Sequence, residues 1–381
     1  MLYLDNAATT YPKPDAVYAA MDKMNRNNAV NAGRGSYRLA REASKLIAET
    51  KKNIRNLVHA DINIPVVLAP SVTIAINQIV HGVKMCDGDV VYVSPYEHNA
   101  VARSLYEVSK SIGIVIRELP IDVESLEIDV EKVKYAFSKE RPKVVFCSHI
   151  SNVIGYVLPV ESIFDEAKKY HATTVLDTAQ SLGLIEVNSR NLNADIIAFT
   201  GHKTLYGPFG IGGFINVSKL PLEVFIAGGT GSDSLNLNMP LDLEGKYEAA
   251  STNIVSVAGL YAALTNIEQE ANYSHEKFLT DYLIEGLTKV KNIQMYLPKN
   301  RSRHIGIVSF SIKGLKSDEV GTILDEDYDI AVRTGYHCAP FIHKYLGSEK
   351  YNGCIRVGVG RFNTREDMDE FIEAIKEIAY E

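Results

Sequence analysis

Lys203 is the side chain whose surroundings point most directly to chemistry. It lies between an apolar run at residues 195–199 and a glycine-rich stretch at residues 207–213. An amine held against apolar walls loses hydration, which lowers its pKa and leaves an uncharged nucleophile that can attack a carbonyl carbon. Most lysines are instead solvated at the surface, so the prediction depends on the residues that accompany Lys203.

Polar side chains that could hold one planar ligand follow the apolar runs in the first 215 residues. Ser71 and Thr73 open an apolar helical segment, where free backbone N–H groups bind anions such as phosphate. A flat ligand with a phosphate, a basic ring nitrogen, an oxygen and an aldehyde would use the whole set, and pyridoxal 5′-phosphate has these groups. The set consists of Ser71, Thr73, His98, Asn152, Asp177, Gln180, Thr200, His202 and Lys203.

Several of these residue types also have a purely structural interpretation. Ser71 and Asp177 belong to types that cap helices, and a single histidine such as His98 is more often structural than functional. Cys338 suits the interior as a small apolar residue, and Arg356 suits an ion pair. Only the combination favours a ligand site.

The apolar runs themselves predict the fold class. Segments rich in valine and isoleucine alternate with helical segments and lie at residues 65–69, 89–93, 113–117, 143–147, 173–177, 195–199 and 211–215. Strands buried on both faces have such continuous apolar sequences, and repeated strand–helix units form a mainly parallel sheet between two helical layers. Ligands of such sheets bind beyond the carboxyl ends of the strands.

The pattern changes in the last third of the chain. A glycine-rich loop runs from residue 227 to about residue 253, and long helical segments follow at residues 255–270 and 273–289. Strands at residues 305–311 and 354–358 then predict a smaller α+β domain. We expect a large domain at residues 14–253 and a small domain made of residues 1–13 and 254–381.

Composition limits the classes of partner. The 381 residues carry a formal net charge of −7 without a lysine and arginine block, which argues against nucleic acid. No apolar run reaches the roughly 20 residues that span a bilayer, and the first residues lack the features of a signal peptide, so we expect a cytoplasmic protein. Four scattered cysteines favour neither disulfides nor a zinc site, and no metal is predicted.

A scaffold that binds a nucleotide or a metal without catalysis is a further class of function. The patterns Gly-x-x-x-x-Gly-Lys-Ser/Thr and Gly-x-Gly-x-x-Gly are both absent. The pair Cys147 and His149 has no further ligands at zinc spacing. An enzyme is therefore favoured.

Seven short motifs extend the argument over nearly the whole chain. They are Tyr3-Leu-Asp-Asn-Ala-Ala-Thr-Thr10, Glu97-His-Asn99, Ser151-Asn-Val-Ile-Gly155, Asp177-Thr-Ala-Gln180, Gly201-His-Lys203, Arg333-Thr-Gly-Tyr-His-Cys-Ala-Pro340 and Arg356 with Phe362-Asn-Thr364. In this order they resemble the class V aminotransferase family of fold-type I pyridoxal-phosphate enzymes, and within it the SufS-like cysteine desulfurases. The resemblance implies a homodimer whose subunits have a three-layer αβα domain with a mainly parallel seven-stranded sheet and a smaller α+β C-terminal domain.

The resemblance also implies roles for the motif residues. Lys203 would form the Schiff base with pyridoxal 5′-phosphate and then act as a base, His98 would stack on the cofactor ring, and Cys338 would accept sulfur. Substrate contacts would come from Arg356, Asn152, Arg333 and Asn6. The cofactor would be held by Lys203, Asp177, Gln180, His98, Thr73, Val72, Ser71, Asn152, Thr200, His202 and, from the partner subunit, Ser251.

The implied reaction converts L-cysteine to L-alanine and leaves the sulfur as a persulfide on Cys338. An acceptor protein, not identified by the sequence, would take this sulfur into sulfur metabolism, including iron–sulfur cluster assembly. Thiolates form beside cations, and Arg333 and His337 are the cations nearest to Cys338 in sequence. A selenocysteine lyase, acting on L-selenocysteine, or another class V lyase or aminotransferase stays open, because the family pattern is broken at Tyr37, where histidine is usual, and in the loop 341–353.

Overall fold

The computed structural model describes residues 1–33, 35–231 and 235–380. The strands are β1 Leu2–Tyr3, β2 Val66–Ala69, β3 Val90–Val93, β4 Val115–Glu118, β5 Ile121–Asp122, β6 Glu127–Ile128, β7 Pro142–Ser148, β8 Thr173–Asp177, β9 Ile196–Thr200, β10 Gly212–Asn216, β11 Ile293–Tyr296, β12 Ile307–Ile312, β13 Ile330–Ala331, β14 Arg333–Gly335 and β15 Cys354–Gly358. The α-helices are α1 Asp15–Asn27, α2 Arg38–Leu57, α3 Val72–Gly82, α4 Asn99–Ile112, α5 Val130–Lys139, α6 Val160–Lys168, α7 Ile254–Thr265, α8 Gln269–Thr288, α9 Ser317–Tyr328, α10 His343–Leu346 and α11 Arg365–Tyr380.

Seven strands form the large sheet, in the order β2-β10-β9-β8-β7-β3-β4. Only β10 runs against its neighbours, β2 and β9, while the other pairs are parallel. The connection from β9 to β10 covers only residues 201–211, which is too short for the crossover that a parallel return requires. The predicted mainly parallel sheet is confirmed, and its single reversal creates the loop that contains Lys203.

Helices cover both faces of this sheet, as predicted. Side chains of β2 alternate between the two layers: Val66 and Leu68 pack with α2, α6 and α7, while Val67 and Ala69 pack with α3 and α4. Because both faces are buried, the strands are apolar at consecutive positions. The continuous apolar runs of the sequence follow from this three-layer packing.

The smaller sheet is antiparallel and has the order β11-β12-β15-β14. It packs with α8, α9 and α11 in a separate core. The start of the chain joins this region, because β1 pairs in parallel with β13. Helix α7 packs against α1 and α2, and its Ile254 and Val257 lie in the core of the large sheet. The division of the chain at residue 253 stays a prediction.

The long helix predicted at residues 255–270 is interrupted in the structure. Helix α7 ends at Thr265 and α8 begins at Gln269. The amide of Asn266 donates to the carbonyl oxygen of Ala262 at 2.7 Å, and asparagine side chains that bind nearby backbone in this way compete with helix propagation. Within the described part of the chain, no helix is long and apolar enough to cross a membrane.

Gly155 marks a close backbone contact between the two parts of the structure. Its φ is +64°, and its carbonyl oxygen accepts from the N–H of Ile305 at 3.0 Å. A Cβ atom at this position would lie 2.5 Å from the carbonyl oxygen of Ile305 and 2.7 Å from that of Ile307. Only glycine allows the loop after β7 to approach the start of β12 so closely.

We expect Gly155→Ala to lower the free energy of unfolding by about 1–3 kcal/mol more than Gly347→Ala, because crowding of this size costs that much. Gly347 has nearly the same φ, +61°, and a Cβ atom added there would have no neighbour within 4 Å, so it controls for backbone strain. Denaturant unfolding followed by circular dichroism measures the difference. Equal losses in the two variants would contradict the close contact.

Candidate active site

The carboxyl edge of the large sheet brings together polar residues from five strands. Asp177 ends β8 and Thr200 ends β9, while Lys203 lies in the loop that follows β9. His98 is the residue before α4, and its Nδ1 accepts from the N–H of Ala100 at 3.0 Å. Because the strands are parallel, the polar residues at their carboxyl ends face one cleft.

Lys203 is partly buried at the centre of this cleft. Burial lowers the pKa of its amine to about 8, and Arg356 and Arg333 act in the same direction, whereas Asp177 and Cys338 oppose them. Roughly a tenth of the amine is therefore uncharged at pH 7, far more than for an ordinary lysine. This is the property that a lysine nucleophile requires.

Asp177 is a buried carboxyl group that faces the same cleft. Burial raises its pKa, and the positive charge of Lys203 and the N–H of Ala179 oppose the rise. Its Oδ1 accepts from that N–H at 2.9 Å, which leaves Oδ2 for another donor. A buried carboxyl with a free oxygen suits a cationic ring nitrogen.

His98 and His202 are neutral imidazoles. Burial lowers the pKa of each to about 3, and the charge of Lys203 contributes to both shifts. The ring of His202 stacks on Phe209 at 4.5 Å between centroids. Both histidines can therefore pack against or bind a ligand without adding a positive charge to the cleft.

The first turn of α3 could bind an anion through its free backbone N–H groups. The Oγ of Ser71 accepts from the N–H of Ile74 at 3.2 Å, so its capping role is observed. Val72 and Thr73 form the first turn, and a Cβ atom at Gly212 would lie 3.0 Å from the backbone nitrogen of Val72. The helix start is thus close to the strand that leaves the Lys203 loop.

Two buried polar atoms near this helix start lack partners. Among residues that the structure describes, none bonds to Thr200 Oγ1 or to His202 Nδ1. Buried polar groups are normally satisfied, so both atoms mark a place for a ligand that can form hydrogen bonds.

Arg356 lies in the middle of β15 and is completely buried. Its Nη2 forms an ion pair with Asp5 at 2.7 Å, and its Nη1 donates to the carbonyl oxygen of Asn152 at 2.9 Å. In the described part of the chain Nε has no partner. Two of its three nitrogens are thus held in place, and the N–H of Nε remains available to a ligand.

Cys338 lies on a loop between β14 and α10 and has a φ of +56°. The Nη2 of Arg333 donates to its Sγ at 3.1 Å, and its carbonyl oxygen accepts from the N–H of Asn99 at 2.7 Å. The thiol is partly exposed. The structure therefore joins Cys338 to Arg333 on one side and to the start of α4 on the other.

The prediction that His337 supplies a cation for Cys338 is wrong. Burial lowers the pKa of His337 well below its ordinary value, so its ring is neutral. Its Nε2 lies 3.0 Å from the carbonyl oxygen of Cys354, on the neighbouring strand. Arg333 is the charged residue that contacts the Sγ of Cys338.

Three other predicted site residues have their side chains bound to the protein. Gln180 Nε2 donates to the carbonyl oxygen of Ala7 at 2.7 Å. Asn152 Nδ2 donates to the carbonyl oxygen of His337 at 2.8 Å. The Nδ2 of Asn6 donates to the carbonyl oxygen of Gly358 at 2.9 Å, so the amide of Asn6 holds β15 rather than pointing freely into the cleft.

Ser251 and Thr73 are both exposed to solvent. The Oγ of Ser251 accepts from Asn31 at 3.0 Å and lies in the loop after Glu248. That loop is fixed by Lys51, whose Nζ is 2.9 Å from the carboxylate of Glu248. Within one chain Ser251 contacts another exposed residue, and its predicted role in a partner's site stays a prediction.

Sequence reasoning missed Lys13, which holds the backbone beside Lys203. Its Nζ lies 2.7 Å from the carbonyl oxygen of His202, and the same oxygen accepts from Thr9 Oγ1 at 3.0 Å. Thr10 Oγ1 donates to the carbonyl oxygen of Lys203 at 3.1 Å. Burial lowers the pKa of Lys13 to about 7. No pattern in the sequence distinguishes this lysine, although the adjoining threonines belong to the first motif.

Glu97 belongs to the second motif, but sequence reasoning assigned it no role. Its Oε1 accepts from Ser94 Oγ at 2.5 Å and from the N–H of Ser148 at 2.6 Å, so it joins the ends of β3 and β7. Burial raises the pKa of Glu97 to about 7. Its position directly before His98 is the signal that could have identified it as a support of the site.

Across residues 1–33, 35–231 and 235–380, no group of three or more His, Cys, Asp or Glu side chains could hold a metal ion.

Comparison with known proteins gives consistent results over the whole chain. The family described as Aminotransferase class-V matches residues 2–371. A probable cysteine desulfurase of Pyrococcus abyssi is 32% identical over 395 aligned positions, which cover 99% of this chain and 94% of that protein.

Two solved structures are also similar. The apo structure of a cysteine desulfurase from Thermococcus onnurineus NA1 has a TM-score of 0.89 at 29% identity and covers 100% of this chain and 94% of its own. A cysteine desulfurase from Escherichia coli, in an S-sulfonic acid form, has a TM-score of 0.83 at 25% identity, with 99% and 94% covered.

The charges around Lys203 predict how its amine titrates. Without added cofactor, we expect the rate of reductive methylation of Lys203 by formaldehyde to rise with pH with a midpoint of about 8. In Asp177→Asn the midpoint should move to lower pH, because a carboxylate that favours the charged amine is removed. Peptide mass spectrometry at a series of pH values measures the rate. Asp165→Asn, on the surface, is the control, and an upward shift in Asp177→Asn would contradict the arrangement.

Proposed function

We propose that this chain, which belongs to the class V aminotransferase family, is a cysteine desulfurase that depends on pyridoxal 5′-phosphate. The single observation that carries the proposal is the grouping of Lys203, Asp177 and Cys338 with two arginines in one cleft. The named relatives, matched over nearly their full lengths, support the same activity.

The residues of the cleft fit the proposed cofactor. Thr200 Oγ1 and His202 Nδ1 are buried atoms without partners in the described chain, and they would bind the phosphate together with the N–H groups at the start of α3. The free oxygen of Asp177 would bind the ring nitrogen. His98 would stack on the ring, and Gln180 would contact the ring oxygen. Bound in this way, the cofactor supplies an aldehyde for a Schiff base and an electron sink next to the substrate Cα.

Lys203 would have two successive tasks. Its amine is partly uncharged near neutral pH because burial lowers its pKa to about 8, so it can attack the aldehyde. Once the substrate amine has displaced it, the freed amine can remove the proton from the substrate Cα. A pKa near the working pH serves both tasks.

Arg356 and Asn152 would orient the substrate. Arg356 carries a guanidinium that is fixed by Asp5 and has an unpaired Nε, and a substrate carboxylate is the natural partner for such a group. Asn152 is held by Arg356 and by the loop of Cys338. The substrate would thus be bound by residues that also determine the position of the thiol.

Cys338 would receive the sulfur. Arg333 donates to its Sγ at 3.1 Å, and this cation stabilises a thiolate. Attack of the thiolate on the substrate Sγ breaks the substrate Cβ–S bond and forms an S–S bond on Cys338. Protonation of the carbon skeleton then yields L-alanine, so no external oxidant is needed.

A homodimer is supported by exposed apolar residues. Leu235, Leu237 and Leu241 are 98%, 101% and 96% exposed, which is unusual for leucines that lie so close together in sequence. A second copy of the chain would cover them and bring Ser251 of the same loop region to the neighbouring cofactor site. The acceptor protein, iron–sulfur cluster assembly and the cytoplasmic location stay predictions.

Replacement of the thiol distinguishes the proposal from its main alternative. We expect Cys338→Ala to lower alanine formation from L-cysteine by roughly a hundredfold or more, because the sulfur acceptor is lost. The absorption band of the bound cofactor should persist. Turnover of L-selenocysteine should be spared in the variant. Cys86→Ala, which changes an exposed cysteine, is the matched control. Unchanged turnover of L-cysteine in Cys338→Ala would favour another lyase or an aminotransferase.

The dimer has its own test. Changing Leu235, Leu237 and Leu241 together to serine should weaken self-association by roughly a hundredfold, because burial of the three side chains would be lost. Analytical ultracentrifugation measures the dissociation constant. Ile62→Ser changes a side chain that is 81% exposed elsewhere and should have no effect. A wild-type monomer at all concentrations would rule out the dimer.

A further inference from the structure

A second cavity lies next to Cys338, outside the cleft of Lys203. It has a volume of about 690 Å³, which is within the range of pockets that bind small molecules. One wall is a face of α4, with Asn99, Arg103 and Tyr106, and the opposite wall is the loop around Cys338 and Phe341. We call this cavity the outer pocket. Cys338 is therefore shared between the cleft and the outer pocket.

Most charged groups of the outer pocket are already paired. Arg117 binds Glu140 through two hydrogen bonds of 2.8 Å. Glu118 binds Lys344 at 2.5 Å. His343 is neutral at physiological pH because burial lowers its pKa. These groups contribute little net charge to the space.

Two lining residues of opposite sign stay unpaired. Both side chains are exposed to solvent. Neither the guanidinium of Arg103 nor the carboxylate of Glu349 forms a hydrogen bond or ion pair with any residue at 1–33, 35–231 or 235–380. Both line the outer pocket. A ligand that carries a carboxylate and an ammonium group could neutralise both charges.

The position of Cys338 indicates what such a ligand would do. Its carbonyl oxygen is tied to the N–H of Asn99 at 2.7 Å, and its Sγ accepts from Arg333 at 3.1 Å. Sulfur attached to Sγ would therefore lie between the cleft, where it is received, and the outer pocket. A thiol bound in the outer pocket could reach this sulfur without passing through the substrate site.

We propose that the outer pocket binds a low-molecular-weight thiol that carries both a carboxylate and an ammonium group, and that this thiol takes the sulfur from Cys338. The inference rests on the proposed function, since Cys338 must first carry a persulfide. The thiol, as thiolate, attacks the terminal sulfur of the persulfide. The S–S bond to Cys338 breaks, a new S–S bond forms on the small thiol, and the Cys338 thiolate takes up the proton that the attacking thiol gave up.

The test separates the two halves of the reaction. The holoenzyme is first mixed with one equivalent of L-cysteine per active site, because excess L-cysteine carries both charges and would itself act as the accepting thiol. A burst of up to one alanine per active site checks the proposed function. Unreacted cysteine is then removed, and the loss of the extra sulfur on Cys338 is followed by mass spectrometry after a thiol is added. The four probes are glutathione, which carries both charges, 3-mercaptopropionate, thiocholine and uncharged 2-mercaptoethanol.

Charge-neutral variants give a distinct pattern of results. Arg103→Gln should slow transfer to glutathione and 3-mercaptopropionate by roughly two- to fivefold, as expected for one solvent-exposed charge contact. Glu349→Gln should slow transfer to glutathione and thiocholine by a similar factor. Transfer to 2-mercaptoethanol and the alanine burst should be unchanged in both. Lys110→Gln and Glu366→Gln make the same charge changes outside the pocket and serve as controls.

Each outcome decides a specific question. The ratio of variant to wild-type rate is compared for each thiol, so differences in intrinsic thiol reactivity cancel. A normal alanine burst with ratios near one for all four probes would overturn the inference while leaving the proposed function intact, and would favour an acceptor protein that binds across the rim. Absence of the burst in the wild type would instead overturn the proposed function.

Discussion

The structure depends on the burial of charged groups at one edge of the large sheet. An amine, a carboxyl and a guanidinium lie in one cleft, where burial makes the charge of each costly unless a group of opposite charge is near. Lys203 is influenced by Asp177 in one direction and by Arg356 and Arg333 in the other. Burial is the largest effect on this amine and lowers its pKa to about 8, which brings the amine close to the point at which it loses its proton. Substitution of any one of these charged residues would therefore shift the pKa values of the others.

The cleft is held from parts of the chain that are far apart in sequence. The large sheet supplies Asp177 and Lys203, whereas Arg356 comes from the small sheet and is fixed by Asp5 near the start of the chain. The close contact at Gly155 brings these parts together. Lys13 and its threonine neighbours then hold the peptide on either side of Lys203. The reactive groups are therefore positioned by backbone contacts as much as by side chains.

The sequence predicted the large sheet well, since strands buried on both faces leave continuous apolar runs such as 173–177. It also predicted that the polar residues following these strands lie together, because the carboxyl ends of parallel strands meet at one edge of the sheet. The prediction failed for His337, which was expected to carry a positive charge but is buried and neutral in the structure. Sequence reasoning could not find the contact of Lys13 with His202 or the ion pair of Asp5 with Arg356, because these partners are 189 and 351 residues apart in sequence. The break between α7 and α8 depended on the side chain of Asn266, which apolar periodicity does not register.

The pairing of β1 with β13 has a consequence for how the protein is made. Residues Leu2 and Tyr3 find their partners at Ile330 and Ala331, and Asp5 finds its partner at Arg356. During synthesis the first segment must wait, without its final neighbours, until almost all of the polypeptide has left the ribosome. The large sheet can assemble while translation continues, as domains generally do. The cleft is complete only after the last part of the chain has been synthesised. A truncated product could therefore form the large sheet but would lack a complete active site.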